Sequence, residues 1–344
     1  MKQIGYILFW VGVFVLRTDY GNAKDYSHVD SIMRICPAQH TQSAESIAKY
    51  IKSKFDTEND RLRAAYSWVA QHITYDLSKM YTGITYKHES EVVKQVLRTR
   101  KSVCFGYVVT FKAIVEYFGI ELITVKGYTK QNGRIDDIPH AWCAVKHKGE
   151  WRLIDPTWSA GYFASGAFHK RFSDKWFLVP PEAIIKSHIP FDPVLQFSYF
   201  PVNGNEFAAG ISADSITSRF FSYPDTIKII EQLPEKERLI AENRRIISMG
   251  DNNRMLEKHI ENNKISVEHI VHNENVNIFN QAVTMYNSAT SLFNRNELKT
   301  AKLKLNEASE TLDNIQNPNK SMSASIGDLK KMIKKMESQI KKML

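Results

Sequence analysis

The hydrophobic pattern divides the chain into an apolar leader, a mixed region and a helical region. Ile4 to Leu16 is an uncharged, largely apolar run of 13 residues, with Lys2 before it and Gly21-Asn22-Ala23 after it. A helix needs about 20 apolar residues to span a bilayer. Residues 1–23 therefore read as a secretory signal cleaved near Ala23. Arg17, directly after the run, supports the alternative of an uncleaved anchor. No cysteine stands near residue 23, which argues against lipid attachment at a new N-terminus.

From Asp25 to about Pro201 the chain mixes helical and strand patterns. Ser43 to Phe55 predicts a helix, and Thr57-Glu58-Asn59-Asp60 resembles a capping box with Asp in place of Glu or Gln. The helix that follows places Leu62, Ala65, Trp68, Val69 and Ile73 on one face. Tyr75 to Lys87 reads as a loop and Glu89 to Leu97 as a short helix. After Cys104, the residues Val108, Phe111, Ile114, Val115 and Phe118 form one helical face that Gly119 ends. Strands are expected at Ile120–Tyr128, His140–Lys146 and Trp151–Asp155. A turn-rich acidic loop, Gln131–Pro139, separates the first two, and a hairpin turn at Lys148-Gly149 separates the last two. Helices followed by antiparallel strands make this half α+β.

After about Asn205 the strand signals fade. Phe279, Ala282, Val283, Tyr286, Ala289 and Phe293 form one helical stripe; Leu298, Ala301, Leu305, Ala308, Leu312 and Ile315 form a second. Asn317-Pro318-Asn319 breaks the second helix, and a third is expected over about Ser325–Leu344. Two antiparallel helices of this size resemble a tetratricopeptide-type hairpin, although the signature positions are too poorly kept to count repeats. In the last helix Lys330, Lys331, Lys334, Lys335, Lys341 and Lys342 stand opposite Leu329, Met332, Ile333, Met336 and Ile340. Such a helix belongs either to a bundle with a solvated face or to an anionic membrane surface.

Composition narrows the class. Of 344 residues 43% are apolar and 24% charged, which excludes a wholly disordered, collagen-like or polytopic membrane protein. The formal charge of +9 is moderate and does not by itself indicate nucleic acid. No P-loop, dinucleotide fingerprint or zinc-finger spacing occurs. The histidines show no ligand spacing, so neither a metal nor another cofactor is expected. Three cysteines, Cys36, Cys104 and Cys143, cannot form a disulfide framework, and at least one thiol stays free. A Cys36–Cys143 bridge is one option in an oxidising compartment.

Three short segments carry chemistry together: Ser102-Val103-Cys104-Phe105-Gly106-Tyr107, Pro139-His140-Ala141-Trp142 and Trp151-Arg152-Leu153-Ile154-Asp155-Pro156-Thr157-Trp158. Cys104 stands where a loop enters a helix, where backbone N–H groups and the helix dipole favour the nucleophilic thiolate. Gly106 allows backbone or substrate to come close. His140 opens a strand, where an imidazole can take the thiol proton and return it to a leaving amine. Asp155 ends the neighbouring antiparallel strand, which places it beside His140 to fix the ring's tautomer. Taken singly, Cys104 also fits a buried structural cysteine, His140 a rim histidine and Asp155-Pro156 a strand-ending turn. Jointly they fit a cysteine–histidine–acid triad.

The order and context of these segments resemble the transglutaminase-like superfamily of papain-related folds over about residues 55–200. The run Asp174 to Glu182, the segment His188-Ile189-Pro190-Phe191-Asp192, and Ser67 to Asp76 resemble its kyphoscoliosis-peptidase branch. Val194-Leu195-Gln196-Phe197 departs from the branch, which usually has a tryptophan before the glutamine; the pattern around residues 188–197 reads as structural. The resemblance implies a papain-like α+β domain over 24–204, and the helical stripes leave 205–344 as an all-α region. It maps Cys104 to the nucleophile, His140 to the base and Asp155 to the third member. The Cys104 backbone N–H is the first oxyanion donor; Gln95, Tyr75, Tyr81 and Tyr86 are candidates for a second. The expected protein is an exported, periplasmic or extracellular enzyme acting on peptide or protein amides through a thioacyl intermediate, with hydrolysis favoured over cross-linking. Its helical region is a candidate surface for a protein partner. The alternative is an inactive peptide-binding or scaffolding module.

Overall fold

The computed structural model describes residues 24–82, 88–212, 215–251 and 253–344. The expected signal, residues 1–23, and Tyr86 lie outside them. In chain order the elements are α1 (Ser27–Arg34), α2 (Ala44–Lys54), α3 (Glu58–His72), β1 (Thr74–Tyr75), α4 (Glu89–Thr99), β2 (Lys101–Ser102), α5 (Cys104–Val115), β3 (Leu122–Gln131), β4 (Arg134–Ile135), β5 (His140–His147) and β6 (Glu150–Ile154). Then come α6 (Pro156–Ala160), β7 (Gly161–Ala164), β8 (Ala167–Lys170), α7 (Pro181–Ile184) and β9 (His188–Pro190). The rest is helical: α8 (Gly204–Ala209), α9 (Tyr223–Gln232), α10 (Glu235–Ser248), α11 (Arg254–Asn294), α12 (Leu298–Asp313) and α13 (Lys320–Met343). The class is thus α+β, an antiparallel sheet with helices, followed by a long all-α region. The residues group into two compact units, each assembled from separate stretches of chain.

The first unit holds the described parts of residues 1–77, 84–120 and 156–177. The apolar stripe of α3 is buried as its spacing requires, with Leu62, Ala65, Trp68 and Val69 in the core beside Ile47 and Ile51 of α2 and Phe111, Ile114 and Val115 of α5. Half of the expected capping box forms at its start. The Thr57 hydroxyl accepts from the Asp60 N–H at 3.1 Å, but the Asp60 carboxylate takes the Thr57 hydroxyl rather than the N-cap N–H. An aspartate is one methylene shorter than the glutamate of a full box. The segment expected to be a loop from Tyr75 begins instead with β1, whose Tyr75 pairs in parallel with Ser102 of β2.

The second unit holds residues 78–83, 121–155 and 178–344, as far as they are described. Its main sheet is built on β3, which pairs antiparallel with β5 over Leu122–Gly127 and with β9 over Gly127–Thr129. Gly127 therefore has a partner strand on each side. A Cβ there would lie 2.1 Å from the Ile189 carbonyl oxygen and 2.7 Å from the Trp142 ring, so the close seat of β9 needs a glycine. The β5–β6 hairpin turns at Lys148 and Gly149, both at positive φ (51° and 84°), which is the primed turn that matches strand twist.

Helices cover one end of this sheet. Tyr128, Ile189 and Phe191 share a buried cluster with Val202, Phe207, Ile246 and Leu256. Farther on, α11 is a single helix of 41 residues, much longer than the stripe beginning at Phe279 implies. Ahead of that stripe it is held by buried amides: Asn263 donates to Asn243 Oδ1 at 2.9 Å, and Asn275 clamps both the N–H and the carbonyl of Gln316. The two expected stripes do meet, Ala282 and Ala289 against Leu298, Ala301, Leu305, Ala308 and Leu312. Leu329, Ile333, Met336 and Ile340 join the same cluster, so the apolar face of the basic helix is buried in the bundle apart from Met332, which is exposed. That helix starts earlier than Ser325 because Asn319 caps it, accepting from the Met322 N–H at 2.9 Å. Among the described residues no helix is long and apolar enough to cross a membrane.

Candidate functional site

Three strand ends of the second unit bring titratable side chains together. His140 is the first residue of β5, and Asp155 follows the last residue of β6. The β5–β6 ladder ends at the Cys143–Ile154 pair, so Asp155 leaves the sheet beside the start of β5. The His140 Nε2–H donates to Asp155 Oδ2 at 2.7 Å. His188, first residue of β9, donates its own Nε2–H to the same oxygen at 3.1 Å. Asp155 and His188 side chains are fully buried, and that of His140 is 9% exposed.

The electrostatics follow from that packing. Burial by itself would raise the Asp155 pKa, but the His140 imidazole and the two hydrogen bonds hold it well below the usual carboxylate range. Asp155 is therefore an ionised acceptor. For His188 burial dominates and pushes its pKa below the ordinary value, despite the neighbouring carboxylate. A neutral His188 that donates from Nε2 has its lone pair on Nδ1, which lies 2.8 Å from the Ser187 hydroxyl. By the same logic a neutral His140 carries its basic lone pair on Nδ1. Trp142 packs against both rings, stacked with His140 at 6.0 Å and edge-on to His188 at 5.1 Å.

Ligating atoms of His140, Asp155 and His188 all lie within 4.8 Å of one another, a grouping the sequence spacing did not suggest. Ligands around a tetrahedral zinc at ~2.0–2.1 Å stand about 3.3 Å apart. Here both nitrogens converge on one oxygen, and the 2.7 Å separation is that of a charge-assisted hydrogen bond. The set as it stands is a hydrogen-bonded relay that could accept an ion only by opening.

Cys104 opens α5 in the first unit and is buried, with 9% exposure. The preceding Val103 supplies no side-chain cap, and its carbonyl accepts from the Gly106 N–H at 3.0 Å in the first turn. The Tyr107 hydroxyl donates to the Ile73 carbonyl at 2.8 Å and anchors the first turn. Gly106 is tight for a different reason than expected: a Cβ there would fall 1.9 Å from Ser102 Oγ and 2.9 Å from Val96, so it is the chain itself that approaches.

Of the oxyanion candidates, Tyr75 is half-buried and lies beside Ser102, two residues before Cys104. Gln95 is half-buried on α4, whereas Tyr81 is 81% exposed. Cys36, Cys104 and Cys143 are buried thiols and none is in a disulfide. Burial pushes the Cys36 thiol up to about 11, away from reactivity.

The structure thus joins His140 to Asp155 and adds His188, and that buried group contains no cysteine. Cys104 belongs to the other unit. The segment 188–197, whose sequence pattern reads as structural, supplies His188 to this group. Its histidine reaches Asp155 across 33 residues of chain, a contact with no local periodicity to announce it.

Residues 45–156 match the model of the transglutaminase-like superfamily. The chain carries a transglutaminase-like domain. The matched segment contains Cys104, His140 and Asp155 and stops before His188. Human kyphoscoliosis peptidase is 31% identical over 144 residues, covering 39% of this chain and 21% of that protein. The Lim and transglutaminase domain protein ltd-1 of Caenorhabditis elegans is 23% identical over 225 residues, covering 60% of this chain and 30% of its own length. The matches therefore span less than a third of these relatives, and the kinship with the peptidase branch is distant. A solved structure described as "Crystal structure of a TGase" is 22% identical over 46% of this chain and 40% of its own, with a TM-score of 0.28.

Proposed function

We propose that the protein is a cysteine-nucleophile enzyme acting on peptide or protein amide bonds. The observation that carries this reading is the His140–Asp155 pair, in which a buried ionised carboxylate fixes the ring so that Nδ1 is the basic atom. In the proposed cycle Nδ1 takes the Cys104 thiol proton, and the thiolate attacks the amide carbonyl. The carbonyl becomes an oxyanion, with the Cys104 backbone N–H as one donor, worth ~3 kcal/mol. The C–N bond then breaks as the imidazolium protonates the departing amine, leaving a thioacyl enzyme. Water attacking this carbonyl gives hydrolysis; a lysine amine gives cross-linking. Similarity to the human kyphoscoliosis peptidase favours hydrolysis. This cycle requires the Cys104 thiol to meet His140.

Export with cleavage near Ala23 belongs to the same reading, on the strength of the leader pattern, as does a protein partner for the helical region 205–344. The test is iodoacetamide labelling of Cys104 across pH, in the wild type and in His140→Ala. A thiolate–imidazolium pair labels quickly at mildly acidic pH and loses that advantage in His140→Ala. Slow labelling in both, or labelling only in denaturant, sinks the enzyme reading. The scaffold reading draws on one observation, that Cys104 and the relay are each no more than 9% exposed; it predicts peptide binding that Cys104→Ala leaves intact.

A further inference from the structure

Asp155 Oδ2 accepts two imidazole N–H groups, and only one of them belongs to the proposed triad. A carboxylate with no exposure has no solvent to hold its second lone pair, so whatever donates there sets its rotation about χ2. His188 is itself immobilised. Its backbone is in register with Thr129 on β3, its Nδ1 faces the Ser187 hydroxyl, and its ring meets the face of Trp142. Because Gly127 pairs with both His140 and Pro190, one strand sets the spacing of the two histidines across the sheet.

We propose that His188 is a positioning residue, whose Nε2–H fixes the Asp155 carboxylate and through it the tautomer and orientation of His140. The inference rests on the function proposed above. His188 touches no reacting atom; it acts through Asp155. Burial keeps His188 neutral, so it supplies a donor without placing a second cation beside His140. A buried histidine retained only for packing would have no need of this tautomer, since Ser187 could pair with either ring nitrogen state.

The tautomer is the first measurement. Long-range 1H–15N spectra of the full chain labelled in histidine should show both His140 and His188 protonated at Nε2. An Nδ1–H tautomer at His188 overturns the proposal without any substitution. The second measurement compares His188→Phe with His188→Gln, using labelled casein as the amide probe and cadaverine as the amine acceptor. Loss of one hydrogen bond to a charged group predicts about a 10- to 100-fold fall in kcat for His188→Phe, with KM within about twofold. His188→Gln keeps an N–H donor and should recover most of that loss, and His140 should return to a single tautomer. Equal losses in both variants, or a wild-type kcat and unchanged His140 spectrum in His188→Phe, overturn it. If wild type and Cys104→Ala turn over the probe equally, the proposed function fails, while the tautomer spectra still decide the role of His188.

Discussion

Arg245 on α10 holds Asp192, two residues beyond the end of β9, through two hydrogen bonds of 2.9 and 2.6 Å. Both side chains are largely buried. Alongside them the His259 ring of α11 stacks on Phe191 at 4.4 Å. The helical region therefore grips the same short strand that presents His188. The chain of contacts runs from α10 through Asp192 and β9 to His188, then to Asp155 and His140.

Arg245→Ala should destabilise the protein by about 3–5 kcal/mol, because it strands a buried carboxylate. Urea melts give the value. Arg245→Met combined with Asp192→Asn should recover part of it, since neither side chain then carries a charge. An equal loss in the double variant means that packing, not the ion pair, matters.

Asp155→Asn should leave the fold intact and reduce turnover of a labelled casein probe by up to ~10⁴-fold, the loss expected when an imidazole is held in the wrong tautomer. Near-ultraviolet circular dichroism checks the fold and steady-state kinetics the turnover. A loss of less than tenfold would remove Asp155 from the mechanism.

The relay also makes stability depend on pH with a definite sign. Asp155 has a folded pKa below its ordinary 3.8, so its contribution is complete above that value and is lost as pH falls through the folded one. His188 has a folded pKa below its ordinary 6.5, so the unfolded chain binds the extra proton first and stability declines as pH falls below about 6.5. Both signs agree. Urea midpoints should drop between pH 7 and pH 5, and drop less in His188→Gln. A steeper drop in the variant would contradict the assignment.

Gly106→Ala should cost about 1–3 kcal/mol through overpacking, because the new methyl group meets Ser102 and Val96. Adding Ser102→Gly should recover much of the cost by removing the nearest atoms. Thermal melts of the two variants check this, and iodoacetamide labelling reads whether the start of α5 has moved. No recovery in the pair would place the strain elsewhere.

Local rules carried the elements. Alternation and a two-residue turn located β5 and β6, three- and four-residue steps located α3, α5 and α12, and the Lys148-Gly149 turn set the β5–β6 register. Register follows from a local hairpin, so the His140–Asp155 contact was legible from the sequence. The expected loops at Tyr75 and Gln131–Pro139 concealed β1 and β4, two-residue strands too short to show a period. The length of α11 was hidden because Asn263 and Asn275 anchor it ahead of the Phe279 stripe through amide bonds to Asn243 and Gln316, which no apolar period announces.

The sequence by itself determined the helical and strand periods, the helix start at Cys104 and the hairpin that joins His140 to Asp155, because each depends on residues close in the chain. Tertiary structure alone decided that β9 lies against β3, that His188 donates to Asp155, and that Arg245 secures that strand. These contacts join residues 33 and 53 positions apart. They are fixed by burial and by the room Gly127 leaves for a second strand, and neither is written in any local pattern.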